Sequence, residues 1–232
     1  FFSDFGPSMD HFKLNYTKNN FDYNYLLIKL NNDLITDEDL DENKYINRWM
    51  YYRDFTIKIN KNTSLTFIES IISTGENRNI EWYYLTPLGL FIAEQMHNAD
   101  REDNGINDIL EQNNSSSFNN DNSFLGMSLN YAINSKINLD ASIIIDDLQI
   151  DKEGIDKYQD SFGFSFGLSY LLNNLSFKLN YSYASPWLYL NNGLFTNYTH
   201  HNYSIGLRYP HFHQIKFELK YLDDNSKINS YI

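Results

Sequence analysis

The sequence predicts an all-β protein: an antiparallel, up-and-down transmembrane β-barrel with about ten strands in one domain spanning residues 1–232. Three observations carry that expectation. Segments of roughly 8–11 residues alternate apolar and polar side chains with period two, not with the 3.6 of a helix. Their apolar positions are strongly aromatic, in a chain with 19 Tyr and 17 Phe, while the alternate positions hold Gly, Ser, Asn, Lys, Arg and Glu. Short Asn-containing turns alternate with long polar connections. A soluble β-sandwich also alternates and is the competing reading, but its outward face would rarely be so rich in Gly and Ser.

In chain order, the first half gives strands near 9–17, 21–30, 45–60 and 63–72. The acidic stretch 36–43, "TDEDLDEN", reads as a solvated loop, and 88–96, "LGLFIAEQM", as a short helix inside the barrel, within a long connection 88–122. The second half alternates most clearly. Leu125, Met127, Leu129, Tyr131 and Ile133 share one face, against Gly126, Ser128, Asn130 and Ala132. Ile137, Leu139, Ala141, Ile143 and Ile145 share a face in the next strand. Phe162, Phe164, Phe166, Leu168 and Tyr170 then oppose Gly163, Ser165, Gly167 and Ser169. Leu175, Phe177, Leu179, Tyr181 and Tyr183 follow, and two further strands are expected at 203–209 and 215–221. The turns at 134–136 and 173–174 are tight. Tyr16, Tyr45, Trp49, Tyr170, Tyr183, Tyr209 and Tyr221 stand near strand ends, where an aromatic girdle would lie.

Composition narrows the function. The chain has no Cys, which removes disulfides, thiolate nucleophiles and Cys-based zinc sites. Its 18 Lys and Arg against 30 Asp and Glu make nucleic acid a poor partner. No apolar run is long enough for a transmembrane helix. The sequence opens on Phe1 without a leader pattern, so a removed signal peptide or a larger parent barrel is expected. No G-x-S-x-G, Walker A or H-E-x-x-H motif is present. A His–Ser arrangement around "HHNYSIG" fails on geometry. His201 and Ser204 would face opposite sides of a strand, and His200 and Ser204 would lie ~13 Å apart along it. A non-enzyme is expected, with no cofactor and no metal. "HFH" at 211–213 lacks a carboxylate to complete a ligand set.

The segments "YINRWMYYRDFTIKINKNTSLTFIES", "YYLTPLGLFIAEQ", "DREDNGIND" and "SIIIDDLQID", followed by "YSYASPWLYLNNGLFTNYTHHNYSIGLRY", come in an order that resembles the Wzi-like capsule-assembly family of outer-membrane β-barrels. The likeness covers roughly residues 43–222. Tyr52 stands where the family pattern has His, and Thr86-Pro87 where it has Asn-Pro. The resemblance implies the C-terminal portion of a larger barrel in the outer membrane, monomeric and non-catalytic. It further implies a lectin-like role in assembly or surface attachment of capsular or extracellular polysaccharide, with membrane lipid as its other partner. A porin-like channel, with Lys178, Arg208, Lys216, Glu218 and Lys220 facing water, is the alternative.

The candidate binding residues follow from sugar chemistry. Arg48, Arg53 and Glu69 offer a charge network that either binds an acidic sugar or fixes strand positions. Arg48 and Arg53 are five apart, so without a bulge they face opposite sides. Trp82, Tyr84, Trp187 and Tyr189 are flat rings beside Asn-rich loops, suited to sugar stacking or to a membrane belt. Asp103 and Asn104 belong to an oxygen-rich loop without EF-hand spacing. Asp146 and Asp147 look like a catalytic pair. Strict alternation would point them to opposite faces, with Asp146 kept as an interior contact beside Asp140 and Asp147 ending the outward row of Ile137 to Ile145 where the strand leaves the membrane.

Overall fold

The structure is a computed structural model, and it describes residues 9–37, 42–76, 78–86, 89–91, 120–147, 161–186, 188, 198–200, 203–204 and 212–221. Nine antiparallel strands lie side by side in a single meander. In chain order they are β1 (Asp10–Lys18), β2 (Phe21–Lys29), β4 (Glu42–Asn60), β5 (Thr63–Glu76), β6 (Asn120–Ala132), β7 (Ile137–Asp147), β8 (Ser161–Leu172), β9 (Leu175–Ala184) and β12 (Phe212–Tyr221). A short strand β3 (Asp33–Asp37) also pairs with β4. β2 and β3 run along the same neighbour with a one-residue offset: Lys29 pairs with Trp49, but Asp33 pairs with Ile46. Together they act as one strand with an irregularity at Asn31 and Asn32. Thr36 pairs with Asn43 and Asp37 with Glu42, so the acidic stretch expected to be a solvated loop is a hairpin end whose tip alone, 38–41, lies outside the described residues.

The tight turns all fall at one end of the sheet. β1 to β2, β4 to β5, β6 to β7 and β8 to β9 are joined by residues 19–20, 61–62, 133–136 and 173–174. Asn19 and Asn173 adopt positive φ there (52° and 49°), a conformation whose cost Asn bears better than other side chains with a Cβ. The Asn134 side chain accepts the Lys136 and Ile137 backbone N–H groups at 2.8 and 3.0 Å, replacing the ladder at that turn. The long connections, 77–119, 148–160 and 185–211, all fall at the opposite end.

Register divides the side chains into two faces. Face A carries the apolar rows: Leu125–Ile145–Phe162, Met127–Ile143–Phe164–Tyr183 and Leu129–Ala141–Phe166–Tyr181–Ile215 are each directly opposed across strands. Rings meet across it, Phe164 and Tyr183 at 5.4 Å and Phe162 and Tyr183 at 5.6 Å. Such pairs contribute roughly 0.2–1 kcal/mol each. Face B is itself split. Toward the tight turns it is polar: Asn24 donates to Asp54 (2.8 Å), Thr56 meets Thr66 (2.8 Å), and Ser142 meets Ser165 (2.7 Å). Gly167 lies directly opposite Asp140, and a side chain there would strike the Asp140 carboxyl. Toward the long connections face B becomes apolar. Ile28, Leu30, Met50, Ile68, Ile72, Phe124, Ile144 and Ala184 form a cluster with Leu188 and Tyr198 from the β9–β12 connection.

The sheet is open among the described residues. β1 pairs only with β2, and β12 only with β9. Both edge strands run toward the tight-turn end. Helix among these residues is almost confined to one 3-10 turn, Trp82–Leu85, and none is long and apolar enough to cross a membrane, which says nothing of strands. Of the strand expected at 203–209, the described part is β11 (Tyr203–Ser204), which pairs with β10 (Thr199–His200); residues 205–211 lie outside the described set. His200 and Ser204 therefore sit on two short strands of a hairpin rather than along one strand, and the ~13 Å separation expected for an extended chain does not apply.

Candidate functional site

The most organised polar site lies where charges interrupt face A. Arg53 on β4 and Glu69 on β5 are directly opposed across the ladder and form an ion pair through Arg53 Nε and Nη2. Both are buried, Arg53 to 1% and Glu69 to 5% exposure. What buries them is a strap of chain leaving β5, described over residues 78–86 and 89–91. Arg53 donates to the carbonyls of Thr86 (3.0 Å) and Gly89, and Glu69 accepts the backbone N–H of Phe91. The guanidinium stacks on the Phe91 ring at 4.0 Å. A buried pair is stable only if its remaining donors and acceptors are filled, and here the strap's own backbone fills them.

A second set of charges ties down the start of the strap. Arg78 bonds Glu81 and reaches Asp121 on β6 at 2.8 Å. Burial works against the Arg78 charge, but the Glu81 and Asp121 carboxylates outweigh it and hold its pKa above the ordinary arginine value. Tyr84 donates to Asp121 at 2.7 Å. Burial first, and the Asp121 charge second, push the Tyr84 phenol well above its usual pKa, so it stays a neutral donor. The Tyr51 hydroxyl accepts the Glu81 N–H at 2.9 Å, and the Tyr51, Tyr84 and Phe91 rings pack under the strap with Tyr23, Tyr25, Leu27 and Ile71.

Arg48 lies on face B, since no register shift separates it from Arg53. There it donates to Asn31 and Thr199 at 3.4 Å each, while His200 Nδ1 accepts the Asn31 N–H at 3.0 Å. Tyr198 donates to the Asn122 carbonyl and stacks on Phe124. The β9–β12 connection is thus fastened to face B as the strap is fastened to face A.

The candidate residues do not converge on one pocket. Arg53 and Glu69 are buried beneath the strap, whose own Tyr84 is buried against the sheet, Arg48 is buried on the other face, and Asp146 is half-buried at the end of β7. Trp82 stands out at 81% exposure. The pairing is irregular between Ile145 and Asp147, so strict alternation, on which the Asp146–Asp147 reading rests, ends at Ile145. Asp103, Asn104, Trp187 and Tyr189 lie outside the described residues. The segment 88–96 was expected inside a barrel, yet its described residues 89–91 lie on face A, across the sheet from the polar face. There its backbone bonds Arg53 and Glu69, which fixes it on this side of the sheet. Of "HFH", His213 bonds Tyr181 at 2.8 Å, and His211 lies outside the described residues. Arg78 and Asp121 were missed by sequence reasoning, because 43 positions separate them and no local pattern links them. No family model, no curated protein and no solved structure matches this chain.

Proposed function

We propose that this chain is a non-catalytic outer-membrane β-barrel protein of the capsule-assembly kind, with face A against lipid and face B and the long connections toward cell-surface polysaccharide. The observation that supports it most is the pairing of two asymmetries. Face A is apolar and uncovered over β6 to β9 and β12, and all tight turns lie at one end with all long connections at the other. From Phe162 to Leu172 the β8 row spans roughly 33 Å at ~3.3 Å per residue. At the ~40° tilt of membrane strands that becomes about 25 Å along the membrane normal, the height of a lipid-facing band. Tyr16, Tyr131, Tyr170 and Tyr221 are exposed at the tight-turn edge of this band, as an interfacial girdle requires. The order of motifs resembling the Wzi-like family supports polysaccharide as the ligand.

Two measurements test the reading. The chain should fractionate with outer membranes and show a heat-modifiable shift in electrophoretic mobility. Recovery in the aqueous phase without detergent overturns the membrane half. On a glycan array it should retain acidic capsular polysaccharide, and an empty array overturns the ligand half. A channel reading draws on Lys178, Lys216, Glu218 and Lys220, which share the polar face of β9 and β12. The apolar cluster at the other end of that face opposes an open pore. Clear conductance in planar bilayers would decide for the channel.

A further inference from the structure

The strap does more than cover a charge pair. Face A changes character along β6: Tyr131, Leu129, Met127 and Leu125 are exposed and apolar, and then Ser123 and Asp121 follow toward the long connections. Arg53 and Glu69 lie at the level of Leu125, and Tyr51 and Ile71 at the level of Ser123. The strap therefore lies across the boundary where the apolar band gives way to a polar rim. Its inner side takes up the charges. Arg53 and Glu69 are held by the residues 86–91, and Asp121 by Arg78 and Tyr84. Its outer side presents Trp82 at 81%, Leu90 at 60% and Ile80 at 39% exposure.

We propose that the strap is a membrane-interface element: Trp82, Leu90 and Ile80 contact the boundary between lipid headgroups and acyl chains on the outside of the sheet. This rests on the membrane reading given above. Without the strap, β4, β5 and β6 would show lipid an ion pair and a carboxylate, groups that cost several kcal/mol when unsatisfied in hydrocarbon. With it, those charges are withdrawn from the surface, and Ile80, Trp82 and Leu90 stand exposed over them alongside the polar Asn79 and Thr86. Indole belongs at such a boundary, because its ring prefers the acyl side and its N–H the headgroup side. Trp82 is also held on a fixed base. Tyr83 and Tyr84 pack edge to face beside it at 4.3 Å, and Glu81 before it is bonded to Arg78 and Tyr51. A ring kept 81% exposed on so firmly tethered a turn is placed for contact with something outside the chain. Leu90 and Ile80, exposed on the same strap, and the apolar band on the same face match lipid, whose boundary with headgroups also accommodates the polar Asn79.

The chain's three Trp residues allow a direct test. The Trp49→Phe/Trp187→Phe variant leaves Trp82 as the sole Trp, excited selectively at the red edge where Tyr does not absorb. A second variant, with all three Trp replaced by Phe and Phe217→Trp on β12, reports the middle of the band. Both are folded into phosphatidylcholine vesicles containing lipids brominated near the headgroup or deep in the acyl chain. Trp82 should lose fluorescence most to the shallow bromines, and Trp at 217 most to the deep ones. Quenching at 217 with none at Trp82 overturns the strap proposal and leaves the membrane reading intact. Absence of quenching at both positions overturns the membrane reading and the proposal with it. Should the two-substitution variant not fold, subtracting the quenching of Trp82→Phe from that of the unaltered chain gives the same comparison. A response of Trp82 to soluble polysaccharide, but not to brominated lipid, would identify a sugar platform instead and also overturn it.

Discussion

Face A of the sheet exists in two versions. Over β6 to β9 and β12 it is bare, and its apolar character comes from its own rows of Leu, Ile, Phe and Tyr. Over the upper part of β2, β4 and β5 it is covered, and beneath the cover it carries Arg53, Glu69 and several tyrosines. The difference teaches that a strand face can carry charges where a segment packed on top takes them up. The buried charges must then be matched to that segment's backbone. In the bare region the constraint falls on every alternate residue. In the covered region it falls on a few contacts between positions far apart in sequence.

The largest expected effect breaks the covered region. Arg53→Ala leaves Glu69 buried without its partner and two strap carbonyls without a donor. The cost should be about 3–5 kcal/mol in equilibrium urea unfolding from vesicles. The double change Arg53→Met/Glu69→Leu removes both charges and should cost clearly less. If the two variants are equally unstable, the pair is not what holds the strap. The bare region should respond to the reverse change: Leu168→Arg puts a charge where none is hidden and should cost about 2–4 kcal/mol in the same vesicles, falling as the position nears either rim. An unchanged midpoint would argue that these rows do not meet lipid. Tyr84→Phe tests the far end of the strap. It removes a hydrogen bond to a charged acceptor, an expected loss of about 1.5–3 kcal/mol, accompanied by increased hydrogen exchange in residues 81–86. The smallest effect belongs to the opposite face. Ser165→Ala on β8 removes the bond to Ser142 and should cost only about 0.5–1.5 kcal/mol, with no change in strap exchange.

Much of the bare region was legible in the sequence, because period two is local. The rows starting at Leu125, Phe162 and Leu175 sit on one face as their spacing requires, and the turns at 134–136 and 173–174 lie where Asn permits them. The opposition of Arg48 and Arg53 could also be read from parity, since β4 keeps its register between them. Tyr131 could have joined the predicted girdle by the same count. The covered region was not legible. Arg53 meets Thr86 and Gly89 across more than thirty positions and through carbonyls that every residue possesses, so no side-chain pattern marks the contact. The offset between β2 and β3 falls on two Asn residues that could equally have begun a loop. The pairing of β10 with β11 was hidden for a different reason: Thr199 and His200 precede "YSIGLRY" and carry no alternation of their own.

The direction of the two edge strands has a consequence for counting. β1 and β12 point the same way because nine is odd. Joining them edge to edge would make a ring with one parallel seam, whose slanted hydrogen bonds are slightly weaker than those of every other pair in the sheet. A ring antiparallel throughout requires an odd number of additional strands between the two edges. The strand parity of any closed ring built from this sheet is therefore set by how that single seam is made.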